Sequence, residues 1–372
     1  MRVAPLRLGA RLLPRRSLSD RARLLPSVVD AIGDTPLVEL SRFVAASGAR
    51  GRILAKLDFL NPGGSKKDRI ARQIVEDARA DGTLRPGQPV VELTSGNTGT
   101  GLAIVCGAYG HPFVAVMSRG NSPERARMMR ALGAEVVLVD QVAGAAAGQV
   151  SGADLELVER AAAELVERRG AFRADQFHHA GSWRAHYLRT APECWRQAEA
   201  APSTFRERRG RDGAGDGHGG NAPRDAIDAF VDFVGSGGTL AGVARWLKER
   251  TDGRARCWAV EPSGAAVLGA DSADGAELDR GGGHRIQGGG YSRSWDELTL
   301  LRRGDVDRVL PVSDEDAIAA ARRLAAEEGL FGGFSAGANA HAALELLKAH
   351  PGRTALIVVC DSGLKYLSTD LY

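Results

Sequence analysis

Segments typical of buried β-strands alternate with segments typical of helices from Asp30 to the end of this 372-residue chain. The predicted strands are short apolar runs: Ile53–Leu57, Val90–Leu93, Phe113–Met117, Glu135–Val139, Ala229–Val234, Cys257–Glu261 and Leu356–Val359. The predicted helices between the first four are Gln73–Ala80, Gly101–Ala108 and Ser122–Leu132. Strands joined through helices pair in parallel, so the sequence predicts an α/β fold built on parallel sheets. The chain is long enough for two such lobes.

A lysine pair lies at the predicted start of a helix, in the sequence Asn-Pro-Gly-Gly-Ser-Lys-Lys-Asp-Arg of residues 61–69. Ser65 is the predicted N-cap, and Asp68 follows it by three residues, close to a capping box. The helix macrodipole disfavours a cation at this end, which lowers the pKa of a lysine there and suits covalent chemistry by its amine. On these residues alone, a solvated Lys-Lys pair on a surface turn is an equal alternative.

Two further predicted strands each lead through a glycine-rich loop into a predicted helix. The loops read Thr-Ser-Gly-Asn-Thr-Gly over residues 94–99 and Gly-Ser-Gly-Gly-Thr over residues 235–239. Backbone N–H groups at a helix N-terminus form an anion site. Neither loop has the Gly-Lys-Ser/Thr of a phosphate-binding P-loop, and Leu240 replaces the third glycine of the dinucleotide pattern. An amino-acid carboxylate, a cofactor phosphate and a covalently bound lysine suit these three places.

The motifs, in this order, resemble those of the pyridoxal-phosphate-dependent cysteine synthase and cystathionine β-synthase family, whose fold is called type II. The resemblance extends from Ile32-Gly33-Asp34-Thr35-Pro36-Leu37 to the closing residues 361–369. It implies two lobes, each with a largely parallel sheet flanked by helices, and pyridoxal 5′-phosphate in the cleft between them. It also implies a division into residues 48–182 as the N-terminal lobe, and residues 30–47 with 183–372 as the C-terminal lobe carrying the phosphate loop.

The resemblance assigns roles residue by residue. Lys67 is the lysine that binds the cofactor covalently and serves as base, whereas Lys66 holds a variable position and is expected to face solvent. The cofactor phosphate is bound by Gly235, Ser236, Gly237, Gly238 and Thr239, the ring oxygen by Asn97 and the pyridine nitrogen by Ser335. The substrate is bound by Thr94, Ser95, Gly96, Thr98, Gln176 and Gly288.

The implied reaction is β-replacement that makes L-cysteine from O-acetyl-L-serine and sulfide through an aminoacrylate. A serine at the pyridine nitrogen holds that nitrogen protonated less well than a carboxylate does, which favours loss of a β-substituent. The alternatives are β-replacement on O-phosphoserine or serine, as in cystathionine β-synthase, or a lyase such as a cysteine desulfhydrase or a serine/threonine dehydratase. A catalytically silent binding protein is disfavoured by the intact site. The resemblance also implies a homodimer.

Two arginines near the expected pocket mouth depart from the cysteine synthase pattern, Arg119 and Arg293. Either could pair with a phosphate, which would suit O-phosphoserine as the donor. We expect both to face solvent and O-acetylserine to be the preferred donor.

Composition excludes several other classes of function. The formal net charge is +3, with no basic stripe with interleaved aromatics for nucleic acid, and no apolar run reaches the length of a membrane span. Four scattered cysteines predict neither a disulfide framework nor a zinc site. His178, His179 and His186 are expected at the pocket edge or surface, and no metal site is predicted.

Two polar segments and the N-terminus are expected to lie outside the folded lobes. Residues 1–26 carry seven arginines against one acid, so residues 1–29 are predicted to be an N-terminal arm or a transit peptide. A transit peptide would place the protein in the mitochondrial or plastid matrix, whereas an N-terminal arm would place it in the cytoplasm. Residues 201–225 are rich in glycine and charge and predict a disordered insertion. Residues 264–284 predict a second polar loop.

Overall fold

The computed structural model describes residues 24–94, 96–121, 123–143, 152–201, 225–269, 283–291 and 293–372. The predicted transit peptide, the insertion over residues 201–225 and much of the polar loop at 264–284 lie outside these ranges. Those expectations stay predictions.

Within the described residues, ten strands form two sheets. They are β1 Leu37–Glu39, β2 Arg52–Leu57, β3 Val90–Leu93, β4 Phe113–Ser118, β5 Glu135–Val139, β6 Phe172–Arg173, β7 Ala229–Phe233, β8 Arg256–Pro262, β9 Arg308–Val312 and β10 Thr354–Val359. The larger sheet has the order β1-β2-β10-β7-β8-β9, and the smaller has the order β5-β4-β3-β6. All pairs are parallel except β1 with β2. The predicted α/β class with largely parallel sheets is confirmed.

Helices cover both sheets. They are α1 Ser41–Ser47, α2 Lys67–Ala80, α3 Asn97–Tyr109, α4 Pro123–Ala131, α5 Gly152–Arg169, α6 Gly181–Ala185, α7 Ala191–Glu199, α8 Gly238–Arg250, α9 Asp314–Glu328 and α10 Phe334–Ala349. One core packs α1, α9 and α10 on one face of the larger sheet, and a second packs α7 and α8 on the other. The smaller sheet is likewise covered by α2 and α3 on one face and by α5 on the other. Central strands covered on both faces explain the continuous apolar runs in the sequence.

One strand does not follow the predicted division into lobes. Residues 48–182 were predicted to form one lobe, yet β2 pairs in parallel with β10, with Ile53 opposite Ala355 and Lys56 opposite Val358. This strand therefore belongs to the larger sheet, with the C-terminal strands. The sequence could not show this, because the pairing joins residues 302 positions apart, such as Ile53 and Ala355. We call the larger sheet with its helices the larger lobe, and the smaller sheet with its helices the smaller lobe.

The start of α2 differs from the prediction by one residue, because the N-cap position is held by Lys66 and not by Ser65. The helix begins at Lys67, and Ser65 Oγ accepts a hydrogen bond from the backbone N–H of Lys67 at 3.2 Å. The carboxylate of Asp68 reaches back to the backbone N–H of Gly63. Burial raises the pKa of Asp68 to about 7, an effect that this hydrogen bond opposes. The loop before α2 is thereby held by two side chains, which fixes where Lys66 and Lys67 emerge.

The described residues contain neither a membrane-spanning helix nor a metal-binding cluster. No described helix is long and apolar enough to cross a bilayer. No group of three or more His, Cys, Asp or Glu side chains in the described ranges is placed to hold a metal ion.

Candidate active site

A cleft of about 1150 Å³ lies between the two lobes. Its walls contain eight of the residues predicted from the sequence, which the structure therefore brings together: Lys67, Thr94, Gly96, Asn97, Thr98, Gln176, Gly288 and Ser335. Ser95 lies outside the described residues. Parallel strands deliver their carboxyl ends to one edge of a sheet, and β3, β7 and β10 each end at this cleft.

Lys67 opens helix α2 and lines the cleft with its side chain partly buried. Burial, and then the positive charge of Lys66, lower the pKa of Lys67 to about 8. A lysine in this state has an appreciable fraction of neutral amine near neutral pH. The pKa shift predicted from the helix start is therefore present, although desolvation is its largest cause.

Lys66 does not face solvent, and that expectation was wrong. Its side chain is buried, and its Nζ lies 2.9 Å and 3.1 Å from the two carboxylate oxygens of Asp232 on β7. Although burial alone would lower it, the charge and hydrogen bonds of Asp232 raise the pKa of Lys66. A single acidic residue inside an otherwise apolar predicted strand was the one signal in the sequence that could have suggested this partner.

The loop of residues 94–99 is closed by short hydrogen bonds. Thr94 Oγ1 accepts from the backbone N–H of Gly99 at 3.0 Å. Thr98 Oγ1 donates to Gln176 Oε1 at 2.6 Å, which joins the loop to the segment after β6. The contact between Thr98 and Gln176 places two predicted substrate-binding residues side by side. Both are buried.

Asn97 contacts two residues that the sequence analysis did not single out. Its Nδ2 donates to Asp361 Oδ2 at 2.7 Å, and its Oδ1 accepts from Lys365 Nζ at 2.6 Å. Both partners line the cleft. Both lie in residues 361–369, the closing part of the family resemblance, and the sequence assigned no role to either side chain.

The loop of residues 235–239 borders the cleft without contributing to the walls described above. Gly235 lines a small adjoining cavity, and Tyr291 and Arg293 line both that cavity and the cleft. Gly237 has φ +80°, and a Cβ atom built on it would lie 2.9 Å from Leu301 Cβ. At Gly238 a Cβ atom would lie 2.8 Å from the Ser182 carbonyl oxygen. This close packing explains why glycines occupy the start of α8.

His186 is a functional-site neighbour that the sequence analysis placed wrongly. It was expected at the pocket edge or surface, but it is buried, with Nε2 3.2 Å from Thr239 Oγ1. Burial, and then the charges of Lys66, Arg69 and Lys67, lower its pKa well below the usual value. A neutral imidazole thus lies between the 235–239 loop and the lysine pair. His178, in contrast, lines the cleft at its exposed edge.

Ser335 lies in the first turn of α10, next to the segment that follows β10. Burial raises the pKa of the neighbouring Cys360 thiol to about 11, an effect that a hydrogen bond with Ser335 only partly offsets. The thiol beside Ser335 is therefore protonated at neutral pH.

The two arginines at the pocket mouth differ. Arg119 forms an exposed ion pair with Asp140 at 2.6 Å, with 58% of its side chain accessible, as expected of a surface residue. Arg293 lines the cleft instead, with its guanidinium carbon 4.3 Å from the centroid of the Phe177 ring. The expectation that both face solvent is therefore wrong for Arg293.

Residues 28–361 match the family model described as pyridoxal-phosphate dependent enzyme. Cysteine synthase 1 of Neurospora crassa is 35% identical over 354 residues, which cover 94% of this chain and 84% of that protein. The crystal structure of an O-ureido-L-serine synthase is 35% identical, with a TM-score of 0.73 over 94% of this chain and 95% of the other. The O-acetylserine sulfhydrylase isoform 3 from Entamoeba histolytica is 32% identical, with a TM-score of 0.77 over 95% and 92%.

Proposed function

Because the chain belongs to the pyridoxal-phosphate-dependent enzyme family, we propose that it makes L-cysteine from O-acetyl-L-serine and sulfide by β-replacement. The family match covers nearly all of the described fold, so the enzyme uses pyridoxal 5′-phosphate and acts on an amino-acid substrate. The similarity to a cysteine synthase over most of both chains supports the choice of product. The observation that carries the proposal is a lysine with a lowered pKa in a cleft whose other walls can hold a carboxylate.

The residues around the cleft fit this cofactor. The first backbone N–H groups of α8 donate no hydrogen bond to a capping side chain among the described residues, and they can hold a phosphate. Lys67 supplies an amine that is partly neutral near pH 8, as covalent attachment to an aldehyde requires. Asn97 supplies a side-chain amide for the ring oxygen, and Ser335 a hydroxyl for the pyridine nitrogen. We propose these four roles.

When bound, pyridoxal phosphate withdraws electrons from the attached amino acid, which acidifies the α-proton and allows the β-substituent to leave. Lys67 is the proposed base for that α-proton, since its lowered pKa lets it accept and return a proton near neutral pH. Its place at the start of α2 keeps the amine close to the cleft wall.

Ser335 supports elimination over transamination. A hydroxyl in the first turn of α10 lies where the helix dipole is positive, which disfavours a protonated pyridine nitrogen. With that nitrogen neutral, negative charge at the α-carbon is stabilised less, so concerted loss of a β-substituent is favoured over longer-lived carbanion chemistry.

The substrate carboxylate is proposed to bind at the loop of residues 94–99. Backbone N–H groups at the start of α3 and the hydroxyl of Thr94 provide donors there, with Gly96 allowing close approach, and Thr98 contributes by donating to Gln176 and so orienting its amide. Gln176 contributes its amide, because its Oε1 already accepts from Thr98 and its nitrogen stays available to donate. Ser95 is retained as a proposed donor, and Gly288 as a proposed part of the opposite wall.

Arg293 supports a second candidate donor, O-phosphoserine. It lines the cleft, and a guanidinium can bind a phosphate through paired hydrogen bonds. We still propose O-acetylserine, because the similar proteins include a cysteine synthase and an O-acetylserine sulfhydrylase.

The test is a comparison of donors with the purified enzyme. O-acetylserine, O-phosphoserine and serine are each supplied with sulfide, and each is also supplied alone, with products identified by mass. We expect cysteine from O-acetylserine with the highest kcat/KM, and the same order in Arg293→Ala. A preference for O-phosphoserine that Arg293→Ala removes would replace the proposed donor. Pyruvate formation without any cysteine would make the enzyme a lyase.

We also propose a homodimer, which the family resemblance supports. Light scattering on the size-exclusion peak measures the mass directly, and a single protomer of 39.3 kDa would contradict the proposal.

A further inference from the structure

Two adjacent lysines, Lys66 and Lys67, both line the cleft that is proposed to hold the cofactor. They differ in their partners. Lys66 is held by both carboxylate oxygens of Asp232 at 2.9 Å and 3.1 Å. No described residue forms a hydrogen bond or ion pair with the side-chain amine of Lys67. We call the former contact the Lys66–Asp232 pair.

Asp232 is itself fixed from a second side. Asn339 Nδ2, on α10, lies 3.4 Å from Asp232 Oδ1. Asn339 is held in turn by its Oδ1, which accepts a hydrogen bond from the backbone N–H of Phe233 at 2.6 Å. The same Nδ2 also lies 3.1 Å from the Val358 carbonyl oxygen on β10. The carboxylate is thereby held in one orientation beneath the cleft wall, with its free edge toward Lys66.

Stability alone is a weak reason for such a pair. Two buried charges lose their hydration, and replacing a buried ion pair by apolar side chains is often neutral or stabilising. Lys66 also lies at the N-terminal end of α2, where the helix dipole disfavours a cation. A second ammonium beside the reactive lysine therefore needs a partner that keeps it charged and turned away.

We propose that Asp232 is a positioning residue which, by pairing with Lys66, determines that Lys67 and not its neighbour is attached to the cofactor. The inference rests on the proposed role of Lys67. In the attachment step the neutral amine of a lysine adds to the aldehyde carbon, a C=N bond forms and one water is released. A lysine held as an ammonium has no lone pair for this addition, so the Lys66–Asp232 pair removes Lys66 from the competition.

The raised pKa of Lys66 and the lowered pKa of Lys67 agree with this geometry. Losing Asp232 would leave the buried ammonium of Lys66 with the Cys360 side chain as its remaining partner, and Lys66 would then give up its proton more readily. Lys66 already lines the cleft, so its amine would then be able to reach the aldehyde.

The experiment attaches pyridoxal phosphate to purified proteins and fixes the bond with borohydride, which adds hydride to the carbon of the C=N bond while the nitrogen takes a proton. Mass spectrometry of the peptide that contains residues 66 and 67 then locates the label. The proteins are wild type, Lys67→Ala, and Lys67→Ala combined with Asp232→Asn, Asp232→Ser or Asp232→Glu. The matched control is Lys67→Ala combined with Asp228→Asn. Asp228 is a buried aspartate next to the start of β7, away from the cleft, and its carboxylate accepts a hydrogen bond from the backbone N–H of Thr354.

We expect label on Lys67 in wild type and very little on Lys66 in Lys67→Ala. Removing the charge with Asp232→Asn or Asp232→Ser should raise labelling of Lys66 by about tenfold or more, since each pKa unit changes the neutral fraction about tenfold. Asp232→Glu and Asp228→Asn should leave the labelling of Lys66 low. Two uncharged replacements guard against a failure of one to fold, which circular dichroism detects.

Equal labelling of Lys66 in folded Lys67→Ala with and without Asp232 would overturn the inference. Strong labelling of Lys66 in the Lys67→Ala single variant would also overturn the inference, because the Lys66–Asp232 pair would then not be keeping the Lys66 amine protonated. Label on Lys66, or on neither lysine, in wild type would instead refute the proposed role of Lys67, and the inference with it.

Discussion

Asn97 Nδ2 donates a 2.7 Å hydrogen bond to Asp361 Oδ2 and so joins the start of α3 in the smaller lobe to the segment after β10 in the larger one. The same oxygen accepts from the Tyr366 hydroxyl at 2.6 Å. Asp361 is buried, and its Oδ1 has no hydrogen-bond partner among the described residues. One carboxylate therefore carries a connection across the cleft.

Asp361→Ala should lower the free energy of unfolding by about 2–4 kcal/mol, because it removes a charged acceptor and leaves the buried Tyr366 hydroxyl unpaired. Urea denaturation measures the change. Tyr366→Phe is the control, since it removes one donor and leaves Asn97 in contact, and it should cost only about 1 kcal/mol. If Asp361→Ala and Tyr366→Phe lose the same free energy of unfolding, the Asp361 carboxylate contributes no more than its hydrogen bond with Tyr366.

Arg69→Met should destabilise the protein by about 3–5 kcal/mol, because it leaves the buried Asp58 carboxylate without its ion-pair partner and leaves Glu193 with Lys56 alone. Arg69 is 1% exposed and lies 2.8 Å from oxygens of both Asp58 and Glu193. Arg119→Met is the comparison at the exposed pair with Asp140, where the loss should stay below about 1 kcal/mol. If both variants unfold at the same urea concentration as wild type, the buried network contributes nothing.

Cofactor attachment by the cofactor-free protein should speed up as the pH rises, with a midpoint near 8, because only the neutral amine of Lys67 reacts. Free Nα-acetyl-lysine, whose amine has a pKa of about 10.4, supplies the reference. Lys66→Met removes a charge that lowers the pKa of Lys67, so its midpoint should move to higher pH. The appearance of the cofactor's absorbance band gives the rate. A wild-type midpoint near 10 would contradict the assignment.

Gly237→Ala should weaken pyridoxal phosphate binding as well as stability. Its φ of +80° costs alanine about 1–2 kcal/mol, and the new Cβ would lie 2.9 Å from Leu301 Cβ. Gly253 is the matched control, with φ +77° and open space around it, so Gly253→Ala should lose stability and keep its affinity. Titration of the cofactor-free proteins by fluorescence compares the two, and equal affinities would exclude the 235–239 loop as the phosphate site.

The sequence predicts those parts of the fold that depend on local pattern. The strands Val90–Leu93 and Glu135–Val139 are as predicted, because an apolar run between polar or glycine-rich turns is a local signal. The lobe to which β2 belongs depends on its pairing with β10, and nothing near residue 52 reveals that partner. For this reason the fold class could be predicted, but one boundary could not.

The same difference separates the two lysines of the site. The direction of the pKa shift of Lys67 agrees with the prediction from the helix start, but its largest causes are burial and the charge of the adjacent Lys66. The burial of Lys66 depends on Asp232, which lies 166 residues away, and the burial of His186 depends on the distant residue Thr239. Contacts of this kind arise from tertiary packing, so a local reading of the sequence misplaced both side chains.

The most direct test of the account is the fate of the α-proton during cysteine formation. The enzyme is given O-acetyl-L-serine and sulfide in deuterium oxide, and the cysteine is analysed by mass and by NMR. Removal of the α-proton by Lys67, whose ammonium protons exchange with solvent, predicts cysteine with deuterium at the α-carbon, and Lys67→Ala should form almost none. Cysteine that keeps the original α-proton throughout, or equal turnover in Lys67→Ala, would contradict β-replacement through this lysine.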